Sequence, residues 1–532
     1  MAGGVLQLFA YGAEDLYMTD NPQITYFKIV YRRHTNFSIQ TFENSFLDRP
    51  DFNKTSKTKI NVLGDLITQI YLKITIKTTT PNDQSKFAWV RRLGHAIINN
   101  IKIEIGGQTI DQQLGIWLDI WYELARTGNH ERGYLYLIGD TPLMTDLNNQ
   151  TKPEFDLYIP IKFWFSRITG TALPIIAIQY HEVYISVEFN DYKNLIVYTQ
   201  DYNNFKDLHI LFASLLIDYI YLDFDERNKF SKTYHEYLIE QVQNNSYMNN
   251  INESTRKRIQ LQFNYPVKEL IWTVTLNDYI DCHKFLAYTN QDNWDNEIIN
   301  ATNRLLLDSI VVADNNPINS SSSIWIKVSP KSKLQVDNLY IDNQSPTNTW
   351  VNPNSLIYND KSITGKIIAS IKITSNSQIL IQNISKYLDI IDISISTDFM
   401  TDTRIDSSKD IIVNQFGNYG LLLDYTKNPL NYAELRFNDE ERFEKREIKY
   451  FSTLLPTIYH NNTPRDGINV YSFSLYPEQH QPSGACNFSR IERQILTLWY
   501  ENIIKNSLFY VFAPNYNVFR VQDGLTAVVY TD

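Results

Sequence analysis

Apolar and polar residues alternate with a period of two in short runs along most of the chain. Leu72-Lys73-Ile74-Thr75-Ile76-Lys77 is one such run. Ile101-Lys102-Ile103-Glu104-Ile105 is another, and it leads into Gly106-Gly107, a hairpin turn signal. Val183, Ile185, Val187 and Phe189 alternate with Tyr184, Ser186 and Glu188. The pattern returns at Leu270/Trp272/Val274, Ile391/Ile393/Ile395 and Tyr471/Phe473/Leu475. Successive strand side chains point to opposite faces, so this period predicts strands with one buried and one wet face. Many such strands separated by turns predict antiparallel sandwiches or barrels. Helical spacing is rare. Leu114, Trp117, Leu118, Trp121, Leu124 and Ala125 form one stripe with Gly128 as a stop, which predicts a helix covering one end of a sandwich. A second helix is expected from Asp223-Phe224-Asp225-Glu226-Arg227 toward Phe230 and Tyr234. With strands before and after it, it reads as the connector between two β halves. From about 295 to 429 the chain becomes Asn/Ser/Ile/Asp-rich but keeps alternating runs such as Ile367 to Ile373. Its Ile, Leu, Val and Trp suffice for a small core, so a folded β-rich elaboration of a loop is expected there.

Composition supports an all-β chain. The 532 residues include only 18 Gly and 18 Pro but 36 Tyr and 27 Phe, which excludes collagen-like and disordered classes. Tyr, Phe, Ile and Thr suit a pleated, half-buried surface. The net charge of −10 argues against binding a phosphate backbone by bulk field, so no direct nucleic-acid contact is expected. Two cysteines, Cys282 and Cys486, make neither a disulfide framework nor a zinc cluster. Met1 to Asp20 has no basic or apolar leader pattern, and Ala2 stands where myristoylation needs Gly. The run Ile210 to Ile217 stops at Asp218, far short of the ~20 residues of a membrane helix. A soluble or peripheral protein is expected.

Catalytic constellations are missing from the sequence. There is no nucleophile elbow, phosphate loop, dinucleotide fingerprint or C-x-x-C. His130-Glu131, His181-Glu182 and His235-Glu236 lack the second histidine of a zinc helix, since positions 134, 185 and 239 are Tyr, Ile and Ile. No catalytic, metal or cofactor site is expected. Tyr31-Arg32-Arg33-His34 is the most basic cluster; a nucleic-acid or anionic-lipid contact is the alternative reading, but in an acidic chain a solvated or subunit-pairing stretch is favoured. Asn438 to Lys449 mixes charges densely and reads as a salt-laced exposed element. Sequons such as Asn36, Asn149 and Asn487 are common in an Asn-rich chain and carry little weight without a secretory signal. A role resting on shape and surface is therefore the default expectation.

Longer motifs carry a family resemblance. Gly3 to Ala13, then Asn21-Pro22-Gln23-Ile24-Thr25-Tyr26-Phe27-Lys28 leading into Tyr31-Arg32-Arg33-His34, open the series. It continues with Leu93-Gly94-His95-Ala96, Ile105-Gly106-Gly107-Gln108, Tyr158-Ile159-Pro160, Phe163-Trp164-Phe165, Ala172-Leu173-Pro174 and Gln179-Tyr180-His181-Glu182-Val183. Asp218 to Asp223, Asp225-Glu226-Arg227, His235 to Gln241 and Pro266 to Trp272 follow. Val470 to Phe473, His480-Gln481-Pro482-Ser483-Gly484 and Cys486-Asn487-Phe488-Ser489-Arg490 close it. In these motifs the chain resembles the major capsid proteins of nucleocytoplasmic large DNA viruses. The main gap in the resemblance is the stretch from 295 to 429.

The resemblance implies an all-β double jelly roll, two eight-stranded antiparallel sandwiches side by side, with few short helices and a large β-rich loop insertion. It implies an N-terminal arm over 1–26, a first jelly roll over 27–222 and a second over 223–532 that contains the insertion. It further implies a structural capsid protein, not an enzyme. Homotrimers would form pseudo-hexagonal capsomers that tile an icosahedral virion shell after assembly in the host cytoplasm. Neighbouring capsomers would be partners, as would minor capsid proteins and the inner membrane through the arm, while the insertion projects outward. A different reading is a jelly-roll glycan-binding attachment protein of the virion surface, motivated by Trp325 and Trp350 in the insertion. A hydrolytic β-sandwich would need converging carboxylates.

Overall fold

The computed structural model describes residues 5, 8–10, 19–29, 31–81, 86–126, 131–145, 149–198, 208–249, 255–276, 286–290, 428–500 and 507–531, with seven short stretches between 310 and 412. Gly3, Gly4, Gly128, Cys282, Trp325, Ile391 and Ile393 lie outside the described residues.

Among the described residues, sixteen strands build two sandwiches in succession. The first contains β1 (Phe37–Ser45), β2 (Thr55–Lys59), β3 (Leu66–Ile76), β4 (Ile98–Ile105), β5 (Gln108–Leu114), β6 (Phe155–Ile161), β7 (Val183–Phe189) and β8 (Ile210–Leu222). They form two antiparallel sheets, β1-β8-β3-β6 and β2-β7-β4-β5. The second contains β9 (His235–Asn249), β10 (Arg256–Gln260), β11 (Glu269–Thr275), β12 (Tyr432–Phe437), β13 (Glu440–Glu447), β14 (Asn469–Ser472), β15 (Gln494–Trp499) and β16 (Ser507–Gln522). Its sheets are β9-β16-β11-β14 and β10-β15-β12-β13, with β17 (Leu525–Val528) added as a hairpin on β16. In both sandwiches the first strand pairs with the eighth, the eighth with the third and the third with the sixth. The second, seventh, fourth and fifth make the opposing sheet. This is a jelly roll written twice, and the fold is a double jelly roll.

Local pattern explains most of these strands. Ile70, Leu72, Ile74 and Ile76 of β3 are buried, while Tyr71, Lys73 and Thr75 between them are half-buried. Strand β11 departs from the expected alternation, because all its residues from Glu269 to Thr275 are buried. Leu270, Trp272 and Val274 fill the core of the second sandwich, whereas Ile271 joins the core shared with the first. The sheet holding β11 is therefore covered on both faces. The run Tyr471/Phe473/Leu475 also differs from expectation: β14 ends at Ser472, and Leu475 is 63% exposed beyond it.

Helix α1 (Gly115–Ala125) forms where the stripe predicts it, but it does not cover an outer end of a sandwich. Ile116 and Ile120 extend the apolar surface around it, so it is buried on nearly every side, as an all-round apolar helix must be. Trp117 stacks on Trp121 at 5.5 Å and meets Phe512 of β16 at 5.3 Å, which places α1 between the two sandwiches. Helix α2 (Phe224–Lys232) is the connector the sequence predicts. The Asp223 carboxylate caps it by accepting from the Glu226 amide at 2.9 Å. Asp225 and Glu226 in its first turn and Lys229 and Lys232 in its last complement the helix dipole.

The registers fix which end of the molecule each connection occupies. β1 starts at Phe37 opposite Leu222, and β9 starts at His235 opposite Val521. The N-terminal arm, α2 and the end of β16 thus share one end. β11 ends at Thr275 opposite Leu508, and β12 begins at Tyr432 opposite Trp499. The long connection from 276 to 431 therefore leaves and returns at the other end. Its described strands pair among themselves, as in Ile310–Val312 with Ile326–Val328 and Leu334–Tyr340 with Ser394–Thr397.

Trp117 is 1% exposed and spans both sandwiches. Trp117→Ala is expected to lower stability by about 3–5 kcal/mol, the usual cost of emptying a core aromatic site, measured by urea unfolding.

Candidate functional site

The most concentrated buried polar chemistry lies in the seam between the sandwiches. Asp119 and Glu123 sit one turn apart on α1, on the same face. From the first sandwich, Arg92 donates through Nη1 to Asp119 at 2.7 Å and through Nη2 to Glu123. Arg91 donates through Nε to Asp140 at 3.1 Å. From the second sandwich, Arg465 donates through Nη2 to Asp119 at 2.9 Å, and its backbone amide donates to Glu123 at 3.3 Å. The Tyr288 hydroxyl donates to Asp119 at 3.2 Å. Three guanidinium groups face three carboxylates, with Arg126 a further cation acting on Glu123, so each buried acid has a cationic partner, which a buried network requires. Burial pushes the Glu123 carboxyl up, but Arg465 and Arg92 outweigh it and hold it at about 2. The same opposition holds Asp119 below the ordinary carboxylate range. Burial lowers the affinity of His95 for a proton, and its Nε2 lies 2.7 Å from the Tyr134 hydroxyl.

A glycine makes the approach possible. Gly467 has φ +92, and a Cβ there would stand 1.8 Å from the Tyr288 carbonyl oxygen. Any side chain at 467 would displace Tyr288 from Asp119.

Two further contacts stitch the same seam. Glu240 of β9 is held by Arg167 of the first sandwich and by Lys268, whose Nζ donates at 2.9 Å; His480 Nδ1 is 3.8 Å away. Burial raises the Glu240 carboxyl, and Arg167, His480 and Lys268 bring it down to about 2. Asp111 of β5 accepts from the Val242 amide of β9 at 3.1 Å, and burial pushes it up to about 6. Inside the second sandwich His460 lies 3.0 Å from both Glu269 and Glu478. Burial lowers it, but the two carboxylates raise it to about 9.

The motif residues of the sequence disperse into distinct structural places. Asn21, Pro22, Gln23, Tyr31, Arg32, Arg33 and His34 are exposed on the arm and its continuation. Gly94 is buried with Ile138 and Ile159 3.0 Å from where a Cβ would be, and His95 joins the seam. Pro174 is buried. Tyr180 and His181 reach the second sandwich: the Tyr180 amide donates to the Gly524 carbonyl at 3.1 Å, and His181 Nδ1 accepts from the Thr526 amide at 3.1 Å. Glu182 pairs with Lys59 on the surface. Asp225, Glu226 and Arg227 lie on α2, where Arg227 Nε meets Asp65 at 3.0 Å. Gln481 and Pro482 are exposed beside His480, and the Ser483 hydroxyl accepts from the Tyr476 amide at 2.9 Å. Gly484 has φ +131. Asn487 accepts from the Ser489 amide at 3.1 Å, Ser489 accepts from the Tyr265 amide at 2.8 Å, and Arg490 is exposed. Phe488 is buried among Phe263, Phe437 and Phe473.

No arrangement of three or more His, Cys, Asp or Glu suited to a metal occurs among the described residues. None of their helices is long and apolar enough to cross a membrane. The seam residues Arg92, Asp119, Glu123 and Arg465 escape motif reading. The available signal was Asp119 and Glu123 on a helix apolar all round, since buried acids need partners.

Arg465→Met leaves two buried carboxylates short of one cation, so a loss of about 3–5 kcal/mol is expected in urea unfolding. The Glu123 contribution is fully present above its unfolded pKa of ~4.3 and is lost as pH falls toward 2. His460 has the opposite sign. Its contribution is fully present below ~6.5 and is lost as pH rises through about 9. In His460→Gln the alkaline fall of Tm between those values should flatten.

Residues 25–223 match the family model described as major capsid protein N-terminus, and residues 226–527 match that of the large eukaryotic DNA virus major capsid protein. The chain is 35% identical to capsid protein 1 of Acanthamoeba polyphaga mimivirus and 33% identical to the major capsid protein of Phaeocystis pouchetii virus, each over 100% of both chains. Its fold is similar to that of PBCV-1 VP54, with a TM-score of 0.64 at 23% identity over 96% of this chain and 100% of the other. The Faustovirus major capsid protein gives a TM-score of 0.60 at 11% identity over 96% and 94%. A double jelly roll with matched motifs along nearly its whole length, this chain belongs to the major capsid protein family of the large eukaryotic DNA viruses.

Proposed function

We propose that the chain assembles as a homotrimer, and that these trimers are pseudo-hexagonal capsomers tiling an icosahedral virion shell. The observation that carries this reading is the repeated strand order in two sandwiches locked side by side. One chain then supplies two nearly equivalent blocks, and three chains supply six. A closed three-fold ring of six similar blocks has a near-hexagonal outline, the shape that tiles a surface. The relatives are named as capsid proteins, and a quasi-atomic model of the PBCV-1 virus capsid is among the structures of similar fold, which supports the same use here.

The two ends of the molecule then have different tasks. Ile24, Tyr26, Phe27, Ile29 and Tyr31 are exposed close to Lys28, Arg32, Arg33 and His34 on the arm and its continuation toward β1. Such an apolar and basic arm suits contact with minor capsid proteins and the inner membrane, at the inner face of the shell. The connection containing 295–429 leaves the opposite end and projects outward, where added length is tolerated. In this division 1–26 is the arm, 27–222 the first jelly roll and 223–532 the second. The role is structural and needs neither cofactor nor nucleic acid; its place is the virion shell, reached after assembly in the host cytoplasm.

Native mass spectrometry of the purified chain should give three copies, and negative-stain images should show a six-lobed outline. A stable monomer across salt and pH would overturn the proposal.

A further inference from the structure

The two sandwiches share a strand order, yet among the described residues the outer face of the first sheet is covered along its length in the second sandwich alone. In β9-β16-β11-β14, Phe509, Val511 and Ala513 of β16 face their own core, while Phe512 and Phe519 join the core shared with the first sandwich. The cover comes from β5, from α1 in the fifth-to-sixth connection and from Trp164–Arg167 in the sixth-to-seventh connection. Trp117 meets Phe512 at 5.3 Å, Trp164 meets Phe519 at 5.6 Å, and Arg167 pairs with Glu240.

In the equivalent sheet of the first sandwich, β1-β8-β3-β6, α2 covers one end, where Ile220 packs with Leu66, Ala172 and Phe230, and the rest of the outer face is open among the described residues. Directly opposed residues share a face. Glu43, Leu216, Tyr71 and Pro160 are opposed in turn and form one row across all four strands. Each is half-buried or exposed, between better-buried neighbours. Ile39, on the same face of β1, is 55% exposed.

The second sandwich carries the converse surface. Its counterpart of α1 is the helical segment formed by Tyr450–Leu454 and Leu455–Tyr459, again in the fifth-to-sixth connection. Its counterpart of Trp164–Arg167 is the connection from β14 to β15. Where the first sandwich buries Trp117 and Trp164, these segments expose Leu454 (49%), Ile458 (60%), Leu475 (63%) and Tyr476 (57%).

We infer that copies of this chain join head to tail, with the Leu454/Ile458/Leu475/Tyr476 flank of one copy covering the Glu43-Leu216-Tyr71-Pro160 row of the next. The seam inside the chain is the template for the seam between chains. Such a contact uses different patches on its two sides, and it closes into a ring when the rotation does. The open row carries polar groups, with Lys73 3.9 Å from Asp156 and the Thr41 hydroxyl donating to Asp218 at 2.6 Å. That mixture fits a face that is soluble before it is joined. The inference rests on the trimer reading and names its contact.

The test uses the full chain. Native mass is measured for wild type, Leu454→Asp/Ile458→Asp, Ile39→Asp and a control, Val62→Asp, at a residue 63% exposed in the second-to-third connection. Wild type and control should be trimers, and the two flank variants monomers with unchanged near-ultraviolet circular dichroism. Trimers assembled from light and heavy-nitrogen protein are also treated with an amine cross-linker. Mixed-isotope links should join Lys73 to Lys445 or Lys449, and this readout stands even if a variant fails to fold. A trimeric wild type whose flank variants stay trimeric, or whose links join other segments, overturns the seam and leaves the trimer. A monomeric wild type overturns the trimer reading itself.

Discussion

Asp119 and Glu123 are gripped from two sides, by Arg92 of their own sandwich and Arg465 of the other. A buried carboxylate without a partner costs several kcal/mol, so each sandwich needs the other to complete this site. The ionic contact fixes position in a way that apolar packing alone does not, because a guanidinium meets a carboxylate in only a few geometries. Trp117 and Trp164 then fill the space the ions define. Glu240 with Arg167, and Asp111 with the Val242 amide, repeat the arrangement along the seam. The two jelly rolls are held in one arrangement because the residues of their contact are both buried and ion-paired.

A block held this way tolerates a very long loop. The ends of the connection from 276 to 431 are pinned by ladders of β11 on β16 and β12 on β15. Loop-closure entropy grows only slowly, by about 0.6 kcal/mol per doubling of length. The surplus length therefore sits at one end without weakening the sandwiches.

Strands were readable from sequence because burial on one face writes period two into β3, β4 and β7. The signal misled where a second layer covers the outer face. β11 looks half-wet by its alternation and is wholly buried. Helix α1 was legible as a helix, but its place between the sandwiches depends on Phe512, nearly 400 residues later. The charge network was out of reach for the same reason, since Arg465 and Asp119 are 346 positions apart and neither lies in a local motif. Motif residues such as Asn487, Ser489 and Gly484 proved to be turn and capping devices, which local chemistry explains well. The duplication is plain in strand order and faint in residues, because topology constrains pairing while each surface answers to a different neighbour.

Helix α2 gives that divergence a physical meaning. A nine-residue tether keeps the second sandwich permanently beside the first, at an effective concentration no free partner reaches. A face joined by a tether never has to be soluble alone, so it can gather tryptophans and buried ions without risk of sticking to the wrong surface. The matching open faces have no such protection and keep a polar dressing. Fusing two copies of one fold thus separated two demands that a single sandwich would have to meet with the same residues: never letting go, and waiting unjoined in solution.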